Sequence, residues 1–376
     1  MTDIDNSCVY GLRHQARCLT PVVANTECSK FLVGTVGAQN NSLCLLEYDD
    51  EKNTITPTLF DHPEEIWDLV SSPTNEDLLL TCHSIASNRT LGKKITLWKK
   101  NSLEQNHGEL ESLVEFEHPG HKALWDSKDA SCIVSLNDNH IHISSLDASN
   151  MSSKTILSID TSIIFKEDTK LSPIQSLQNA VWNPHDNTEI VTVGGQVIAG
   201  WDIRSSKATF RRDEAHASTI RAIDYNANKP FHIATGGDDS KINLWDVRSM
   251  NQPLMVVEGH THWIWSVAFN KFHDQLLLTS SSDTLVNLQN VISVSSASYL
   301  EHETDQPDDD QDPDESYWKN YKTIDGLICT YDQHEDSVYS VAWSPADTWT
   351  FASLSYAGRV VISQVPTGEK FKILGV

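Results

Sequence analysis

The stretch that decides the fold runs from His216 to Arg248 and reads HASTIRAIDYNANKPFHIATGGDDSKINLWDVR. Two short apolar runs, Ile220 to Tyr225 and Ile242 to Trp245, flank a segment that ends in Gly236-Gly237-Asp238-Asp239. Short apolar runs that are bounded by Gly and Asp predict β-strands joined by tight turns. The stretch therefore predicts a small antiparallel unit that is closed by a Trp-Asp pair.

The same spacing recurs further along the chain. From His216 to Asp239 and from His260 to Asp283 there are 23 positions, and from His334 the same 23 positions reach Ala357. Each histidine is followed at fixed offsets by two apolar residues and an aromatic one: Ile220, Ile223 and Tyr225; Ile264, Val267 and Phe269; Val338, Val341 and Trp343. Repeats of about 40–45 residues with a closing Trp-Asp pair are typical of β-propeller blades. These units resemble WD repeats.

Weaker copies of the unit extend this prediction over the whole chain. We predict an all-β fold, a single seven-bladed WD-repeat β-propeller that spans residues 1–376. The expected blades are roughly 10–60, 62–117, 118–170, 172–212, 216–257, 260–331 and 334–374. Residues near Tyr10-Gly11-Leu12 are expected to complete the last sheet, which removes a free edge.

A WD blade contains a hydrogen-bonded chain of His, Ser or Thr, Asp and Trp. The resemblance assigns these roles to His216, Thr235, Asp239 and Trp245 in the fifth blade, and to His260, Thr279 and Asp283 in the sixth. Gln289 stands where the sixth blade would have its Trp, and the last blade has Ala357 for Asp and Ser363 for Trp. A His beside an Asp in this context is interpreted as a structural network rather than as catalytic machinery.

Catalytic and cofactor motifs were not found. The sequence lacks a phosphate loop, a nucleophile elbow, a kinase signature and a zincin helix, so we predict a protein that is not an enzyme and needs no cofactor. His140 and His142 share one face of a predicted strand and could ligate zinc. The sequence offers no third ligand near them, and we expect no metal site.

Net charge limits the classes of binding partner, and cysteine content indicates the cellular compartment. The chain has 28 basic and 52 acidic residues, a net charge of −24, which disfavours nucleic acid and anionic membrane as direct partners. No run of 18 apolar residues occurs, so no membrane insertion is expected. The seven cysteines form no C-x-x-C pair, and Met1 to Asp5 does not begin a signal peptide, which together predict a cytoplasmic protein.

Residues 301–320 form an acidic insert within the sixth blade. Residues 301 to 315 contain no Lys or Arg and carry nine acidic residues: Glu301, Glu303, Asp305, Asp308, Asp309, Asp310, Asp312, Asp314 and Glu315. This composition predicts a disordered segment. It is either a solvated loop or an electrostatic tether for a basic partner. Calcium binding is disfavoured because no EF-hand spacing is present.

One set of aligned positions predicts a partner-binding surface. The residue after the first apolar position of each inner strand should point to the mouth of the central channel, and Trp, Tyr and Arg dominate binding hot spots. These side chains could instead pack on neighbouring blades. The candidate top-face residues are Trp67, Gln178, Arg221, Trp265 and Tyr339, with Trp263 and Tyr356 beside them.

Several stretches are more distinctive than the generic repeat. They include Tyr10-Gly11-Leu12, Gln15-Ala16-Arg17, Glu65-Ile66-Trp67, His262-Trp263-Ile264-Trp265 and His334-Glu335-Asp336-Ser337-Val338-Tyr339. With the acidic insert, they resemble the EARP- and GARP-interacting protein family, WD-repeat proteins once catalogued as a tumour-suppressing subchromosomal transferable fragment product. The resemblance covers nearly the full chain and is poorest from Asn101 to Lys170.

The resemblance implies a non-catalytic adaptor. Such proteins associate with subunits of the endosome-associated recycling (EARP) and Golgi-associated retrograde (GARP) tethering complexes and promote their membrane recruitment. The implied roles are endocytic recycling and, in secretory cells, dense-core vesicle biogenesis. The chain is then expected to be a monomer within a larger assembly that associates peripherally with the membranes of endosomes and the trans-Golgi network.

Two other functions stay open from the sequence. Trp201-Asp202-Ile203-Arg204 and Trp245-Asp246-Val247-Arg248 resemble the W-D-x-R boxes of substrate receptors of cullin-RING ubiquitin ligases, in which Arg204 and Arg248 would contact the ligase adaptor. The structural alternative is that each Arg bonds backbone or a neighbouring Asp at a strand end. Histone binding by the acidic insert would require nuclear localisation.

Overall fold

The computed structural model describes residues 7–37, 39–85, 92–102, 107–126, 128–147, 151–162, 176–301 and 324–375. These residues form 28 strands, two short 3₁₀ helices and one α-helix. None of these helices combines the length and the apolar character that a membrane span needs. The seven cysteines, all of which are described, are free thiols. The acidic insert lies outside the described residues from position 302 to position 320.

The strands, in chain order, begin with β1 (Cys8–Gly11). An eight-stranded sheet follows, in the order β2-β3-β4-β5-β9-β8-β7-β6. Its strands are β2 (Ala16–Pro21), β3 (Ser29–Thr35), β4 (Asn41–Asp49), β5 (Thr54–His62), β6 (Ile66–Ser71), β7 (Leu78–Ser84), β8 (Lys93–Ser102) and β9 (His107–Glu115). This sheet consists of two antiparallel runs of four strands, and it is continuous only because β5 and β9 pair in parallel at two positions.

Four further sheets have four sequential antiparallel strands each. They are β10 (Lys122–Trp125), β11 (Cys132–Leu136), β12 (His140–Asp147), β13 (Ser152–Asp160); β14 (Leu177–Trp182), β15 (Glu189–Gly194), β16 (Val197–Asp202), β17 (Lys207–Arg212); β18 (Ile220–Tyr225), β19 (His232–Gly237), β20 (Ile242–Asp246), β21 (Met255–Val257); and β22 (Ile264–Phe269), β23 (Leu276–Ser281), β24 (Val286–Asn290), β25 (Gly326–Tyr331). The 3₁₀ helices, Ile292–Val294 and Ser296–Glu301, lie between β24 and β25.

The last sheet joins the two ends of the described chain. It contains β26 (Val338–Trp343), β27 (Thr350–Ser355) and β28 (Arg359–Gln364), and β1 adds to β28 with Tyr10 opposite Val360. The expected closure near Tyr10 is confirmed. Since β1 belongs to this sheet, the first run of four strands begins at Ala16 rather than at residue 10.

The chain after β28 is helical, whereas the sequence interpretation included these residues in the last blade. An α-helix, α1 (Thr367–Leu374), follows Pro366 and is capped by Gly375, which has a positive φ of 70°. Glycine adopts this left-handed conformation without steric cost, which makes it a common helix terminator. The β part of the last repeat therefore ends at Gln364.

The inner strands, defined as β2, β6, β10, β14, β18, β22 and β26, follow one another in a closed ring. Each contacts the next in this order, and β26 contacts β2. Apolar clusters lie between adjacent sheets: for example, Ile264 and Val267 of β22 pack with Ala234 and Leu244 of the preceding sheet. Burying both faces of each sheet in this way is the main stabilising contribution in a sheet-on-sheet fold.

Polar side chains of inner strands connect neighbouring strands of the ring. Asp68 accepts a hydrogen bond from the Ala123 amide at 3.1 Å, and Asp224 accepts one from the Phe269 amide at 2.8 Å. Asn179 donates to the Arg221 carbonyl at 3.1 Å. Because these bonds join strands of different sheets, they fix the rotation of one sheet against the next.

Candidate functional site

The stretch from His216 contains the most complete side-chain network. His216 Nδ1 lies 3.0 and 3.1 Å from the two Asp239 carboxylate oxygens, and His216 Nε2 lies 2.8 Å from Thr235 Oγ1. The Trp245 indole N–H donates to the same hydroxyl at 3.0 Å. Burial opposes the charge on Asp239, but the interaction with His216 and the hydrogen bonds from the Ala217 and Lys241 amides together outweigh it and hold the pKa of Asp239 below its usual value. The four side chains therefore satisfy one another and leave no free base or nucleophile.

The network is shorter in the other units. His260 reaches Asp283 at 2.9 Å and Thr279 at 2.9 Å, but the buried Gln289 amide nitrogen has no partner among the described residues. His334 reaches Ser353 at 2.8 Å, while its Nδ1 finds no partner within the described part of the chain because Ala357 replaces the carboxylate.

Two partial networks were not predicted. His62 lies 3.3 Å from Thr81, whose hydroxyl accepts from Trp98 at 2.8 Å, and Trp201 donates to Thr192 at 2.9 Å. The spacing of 19 positions from His62 to Thr81 equals that from His216 to Thr235. The contact between His62 and Thr81 was therefore predictable from the sequence.

Five of the seven candidate top-face residues share a backbone feature, whereas Trp263 and Tyr356 lie outside the inner strands. In six of the inner strands the register shifts across the second residue, which leaves that residue without an opposite partner: Arg17, Trp67, Gln178, Arg221, Trp265 and Tyr339. Such a β-bulge redirects a side chain away from the regular ladder. All six except Arg221 line a cavity of about 530 Å³ at the centre of the ring, and Arg221 contacts the Trp265 ring beside it.

These side chains form a continuous cluster of rings and cations, here called the mouth cluster. The Trp265 and Tyr339 rings lie 4.4 Å apart, and Tyr339 and Tyr356 lie 5.6 Å apart. Arg221 Cζ is 4.9 Å from the Trp265 ring and 5.4 Å from the Trp263 ring, distances at which a cation is attracted to an aromatic face. The mouth cluster comprises Arg17, Trp67, Lys93, Arg221, Trp263, Trp265, Tyr339 and Tyr356.

The structure adds Arg17 and Lys93, which the sequence interpretation missed. Arg17 Cζ lies 5.1 Å from the Trp67 ring, 4.9 Å from Tyr339 and 5.2 Å from Tyr356, and Lys93 Nζ lies 4.5 Å from Trp67. Arg17 occupies the same strand position as Trp67, so an alignment of Ala16-Arg17 with Ile66-Trp67 could have identified it. Gln178 also lines the cavity, and its amide donates to Ser176 Oγ at 3.0 Å.

Hydrogen bonds fix several members of the mouth cluster. Trp67 donates to Ser84 Oγ at 2.8 Å and Trp265 to Ser282 Oγ at 2.6 Å. Arg221 donates two parallel bonds of 2.8 Å to Asp238. Trp263 is 42% exposed. The cluster thus presents aromatic surface to solvent on side chains whose positions are held by hydrogen bonds.

The cavity wall below the mouth cluster carries two partly buried carboxylates in different environments. Asp68 Oδ1 lies 2.9 Å from Lys122 Nζ; burial opposes the charge on Lys122, but Asp68 outweighs it and holds the pKa of Lys122 above its usual value. Asp224 has no ion pair among the described residues, and burial raises its pKa to about 6 in spite of the bond from Phe269.

Arg204 and Arg248 are exposed and bind the Asp of their own Trp-Asp pair. Arg204 Nε lies 3.5 Å from Asp202, and Arg248 makes contacts of 2.6 to 3.2 Å with Asp246 while its Cζ lies 4.2 Å from the Phe231 ring. Each Arg therefore bonds a neighbouring Asp at a strand end, as expected if its role is structural. Their side chains are 71% and 60% exposed.

The His140 and His142 rings stack on each other, and a third histidine joins them. His142 lies 5.7 Å from His140 and 4.0 Å from His118, with interplanar angles of 4° and 12°. Burial lowers the pKa of His142 to about 4. Parallel rings do not converge on one point, as metal ligands must. Within the described residues, no group of three possible ligands has the geometry to hold a metal ion.

Comparison with known proteins gave matches over most of the chain. The family described as the EIPR1 beta-propeller matches residues 4–289, and the WD domain, G-beta repeat, matches residues 326–362. "EARP-interacting protein homolog" of Gekko japonicus and "EARP and GARP complex-interacting protein 1" of Homo sapiens are each 37% identical, over 98% of this chain and 99% of theirs. "WD repeat-containing protein DWA2" of Arabidopsis thaliana is 33% identical over 95% of both chains.

Proposed function

Because the chain belongs to the EIPR1 β-propeller family, we propose that it is a non-catalytic adaptor that binds the EARP and GARP tethering complexes. The observation that carries this proposal is the similarity to relatives named for that interaction along 98% of the chain. The binding partners are protein subunits of the complexes, and the adaptor acts as a monomer within the assembly.

The proposal includes the biological role that the family resemblance implies. The adaptor promotes recruitment of the tethers to endosomes and the trans-Golgi network, supports endocytic recycling and, in secretory cells, assists dense-core vesicle biogenesis. It associates with these membranes peripherally, through its protein partners. The net charge of −24 supports this, because an acidic chain is repelled by anionic lipid surfaces.

We further propose that the sheets act as a seven-bladed propeller, with the eight-stranded sheet counted as two blades. The supporting observation is the ring of inner strands β2, β6, β10, β14, β18, β22 and β26, each of which begins one run of antiparallel strands. The parallel contact between β5 and β9 is then a local link between two blades. A propeller of this kind presents the mouth cluster on one face of a rigid disc.

Within this function, the mouth cluster is the proposed docking surface. Its tryptophans and tyrosines supply large contact area at low entropic cost, and their positions are fixed by hydrogen bonds and ring contacts. Truncation of such anchors typically costs about 2 kcal/mol or more of binding free energy. Trp265 and Tyr339, which contact each other, are the best pair to test.

Affinity purification from cells tests the proposal. Wild type should recover tether subunits, the Trp265→Ala/Tyr339→Ala variant should lose them, and Arg204→Ala/Arg248→Ala should retain them because these residues lie outside the mouth cluster. Circular dichroism and melting curves establish that each variant is folded. Unchanged recovery with the folded aromatic variant would refute the docking surface, and no recovery with wild type would refute the adaptor function.

The same experiment tests the alternative function. A substrate receptor of a cullin-RING ubiquitin ligase would recover a ligase adaptor instead of tether subunits. That recovery would be lost with Arg204→Ala/Arg248→Ala and kept with the aromatic variant.

A further inference from the structure

The Arg17 guanidinium makes no hydrogen bond or ion pair with any described residue. Its Nε is buried without an acceptor, and its contacts are with the rings of Trp67, Tyr339 and Tyr356. A guanidinium carries five N–H donors, and buried polar groups nearly always have partners. In a chain with 52 acidic and 28 basic residues, a partially buried arginine without a carboxylate needs an explanation.

Comparison of two repeats shows which acceptor Arg17 lacks. In the fifth unit Ile220 lies opposite Gly237, the Asp238 amide donates to Thr219 at 2.8 Å, and Asp238 binds Arg221 with two bonds. In the first unit Ala16 lies opposite Thr35 and the Val36 amide donates to Gln15 at 2.7 Å.

Val36 therefore occupies the position of Asp238, and Arg17 that of Arg221. The acceptor that satisfies Arg221 is replaced by an aliphatic side chain beneath Arg17.

The surroundings of Arg17 favour a small anion with apolar neighbours. Three aromatic rings hold the guanidinium at about 5 Å, so its position is fixed before a ligand binds. Lys93, on the Trp67 ring, forms no ion pair among the described residues and supplies a second positive charge. Trp265 and Tyr339 extend the apolar surface on the other side.

We propose that Arg17 anchors a carboxylate-binding site at the channel mouth. The ligand is an acidic side chain or the terminal carboxylate of a protein segment, whose apolar neighbours lie on Trp67, Trp265 and Tyr339. The planar guanidinium matches a carboxylate through two parallel N–H···O bonds. That the segment belongs to a tether subunit rests on the proposed function; the carboxylate chemistry does not.

Charge favours a carboxylate over a phosphate group or a membrane surface. The site has two cations, while Glu65 and Asp238 are held beside it by bonds to Ser84 and Arg221. A ligand with several negative charges would meet these carboxylates and the net charge of −24. A single carboxylate is compensated by Arg17 and Lys93 without this repulsion.

Val36→Asp provides a test that leaves the mouth cluster intact. By analogy with Asp238, the new carboxylate should pair with Arg17 from within the chain and close the site. Val36→Asn is the matched control, since it has the same size and polarity without the charge, and a neutral amide competes weakly for a guanidinium. Arg17→Met removes the anchor while keeping an unbranched apolar stem.

The binding measurement uses N-acetyl-Leu-Phe-Glu-amide, its Gln counterpart and its phosphoserine counterpart. Each is titrated into ¹⁵N-labelled full-length chain while the indole N–H resonances of Trp67 and Trp265 are followed. The Glu peptide should shift both resonances. Val36→Asp and Arg17→Met should each weaken its binding by about 10- to 100-fold, the range expected for a lost hydrogen bond to a charged group.

Val36→Asn should keep most of the binding, and the Gln peptide should bind far more weakly than the Glu peptide. Equal binding of Glu and Gln peptides, tighter binding of the phosphoserine peptide, or full binding by Val36→Asp would overturn the proposal.

Co-purification separates this proposal from the adaptor function. If wild type recovers tether subunits and Val36→Asp recovers them equally well, the assignment of the carboxylate to a tether subunit is refuted while the adaptor function stands. If wild type recovers no tether subunits, the adaptor function fails, and the peptide titration still decides the chemistry of Arg17.

Discussion

Replacing Thr235 with valine removes one fully buried hydroxyl from the centre of the His216 network. Because His216 Nδ1 faces the Asp239 carboxylate, that nitrogen carries the proton and His216 Nε2 is an acceptor. The Thr235 hydroxyl then donates to Nε2 at 2.8 Å and accepts from the Trp245 indole at 3.0 Å. Valine leaves both groups buried without a partner.

The sixth unit supplies a matched change. Thr279 binds His260 Nε2 at 2.9 Å and, like Thr235, is fully buried, but Gln289 replaces the tryptophan and does not reach it. Thr279→Val therefore leaves one group unpaired and Thr235→Val leaves two. Each buried unsatisfied group costs about 1–3 kcal/mol, so Thr235→Val should be about 1–3 kcal/mol more destabilising than Thr279→Val. Both substitutions replace a hydroxyl by a methyl group, so the contribution of the added methyl cancels when the two unfolding free energies are compared.

Urea denaturation followed by tryptophan fluorescence and by circular dichroism measures the two changes in unfolding free energy. Both variants and wild type must show coincident transitions with equal slopes for the comparison to hold. Hydrogen exchange of the Trp245 indole N–H gives a local readout, and this proton should exchange faster in Thr235→Val. Equal destabilisation by the two substitutions would refute the claim that the Thr235 hydroxyl satisfies both His216 and Trp245.

Two further predictions concern buried titratable groups, both measured by urea denaturation at a series of pH values. Burial lowers the pKa of His334 to about 4. Between about pH 6.5 and 4 this histidine is therefore protonated in the unfolded state but neutral in the folded state. Wild type should therefore lose stability as the pH falls from 7 to 5, and this loss should be about 2 kcal/mol smaller in His334→Gln. The control His107→Gln, which alters an exposed histidine, should lose as much stability as wild type. Equal pH profiles in the two variants would contradict this prediction. Burial raises the pKa of Asp224 to about 6, so wild type loses stability as pH rises from about 4 to 6, and Asp224→Asn should gain about 2 kcal/mol relative to wild type over that window. A difference between Asp224→Asn and wild type that does not change with pH would show that the carboxylate is not strained by burial.

The sequence contains enough periodicity to predict the class of fold and the strands that surround the ring. The His-to-turn spacing fixes where β18, β22 and β26 begin, because each inner strand starts four residues after its histidine. The closing strand at Tyr10 was also predictable, since a propeller without it would leave β28 as an exposed edge. The helix α1 was missed because its eight residues follow the last repeat without a break in composition.

The candidate site was only partly predictable. Trp265 and Tyr339 were found through histidine-anchored alignment, but the first unit has no such histidine, and Arg17 was therefore missed. The bulges that turn these side chains into the channel depend on backbone twist, which residue types do not specify. His118 was missed because it precedes β10 and is 22 positions from His140, a distance that no local spacing rule covers.

The bulges in the inner strands separate what the ring needs for folding from what it presents to other molecules. A residue at a bulge has no opposite partner in its ladder, so its identity does not determine which strand residues face each other. The neighbouring apolar positions, Ala16, Ile66 and Ile264, are fully buried and carry the packing. Mutations at the bulged positions can therefore accumulate with little effect on strand register, and relatives with the same scaffold can acquire different specificities by changing these few side chains.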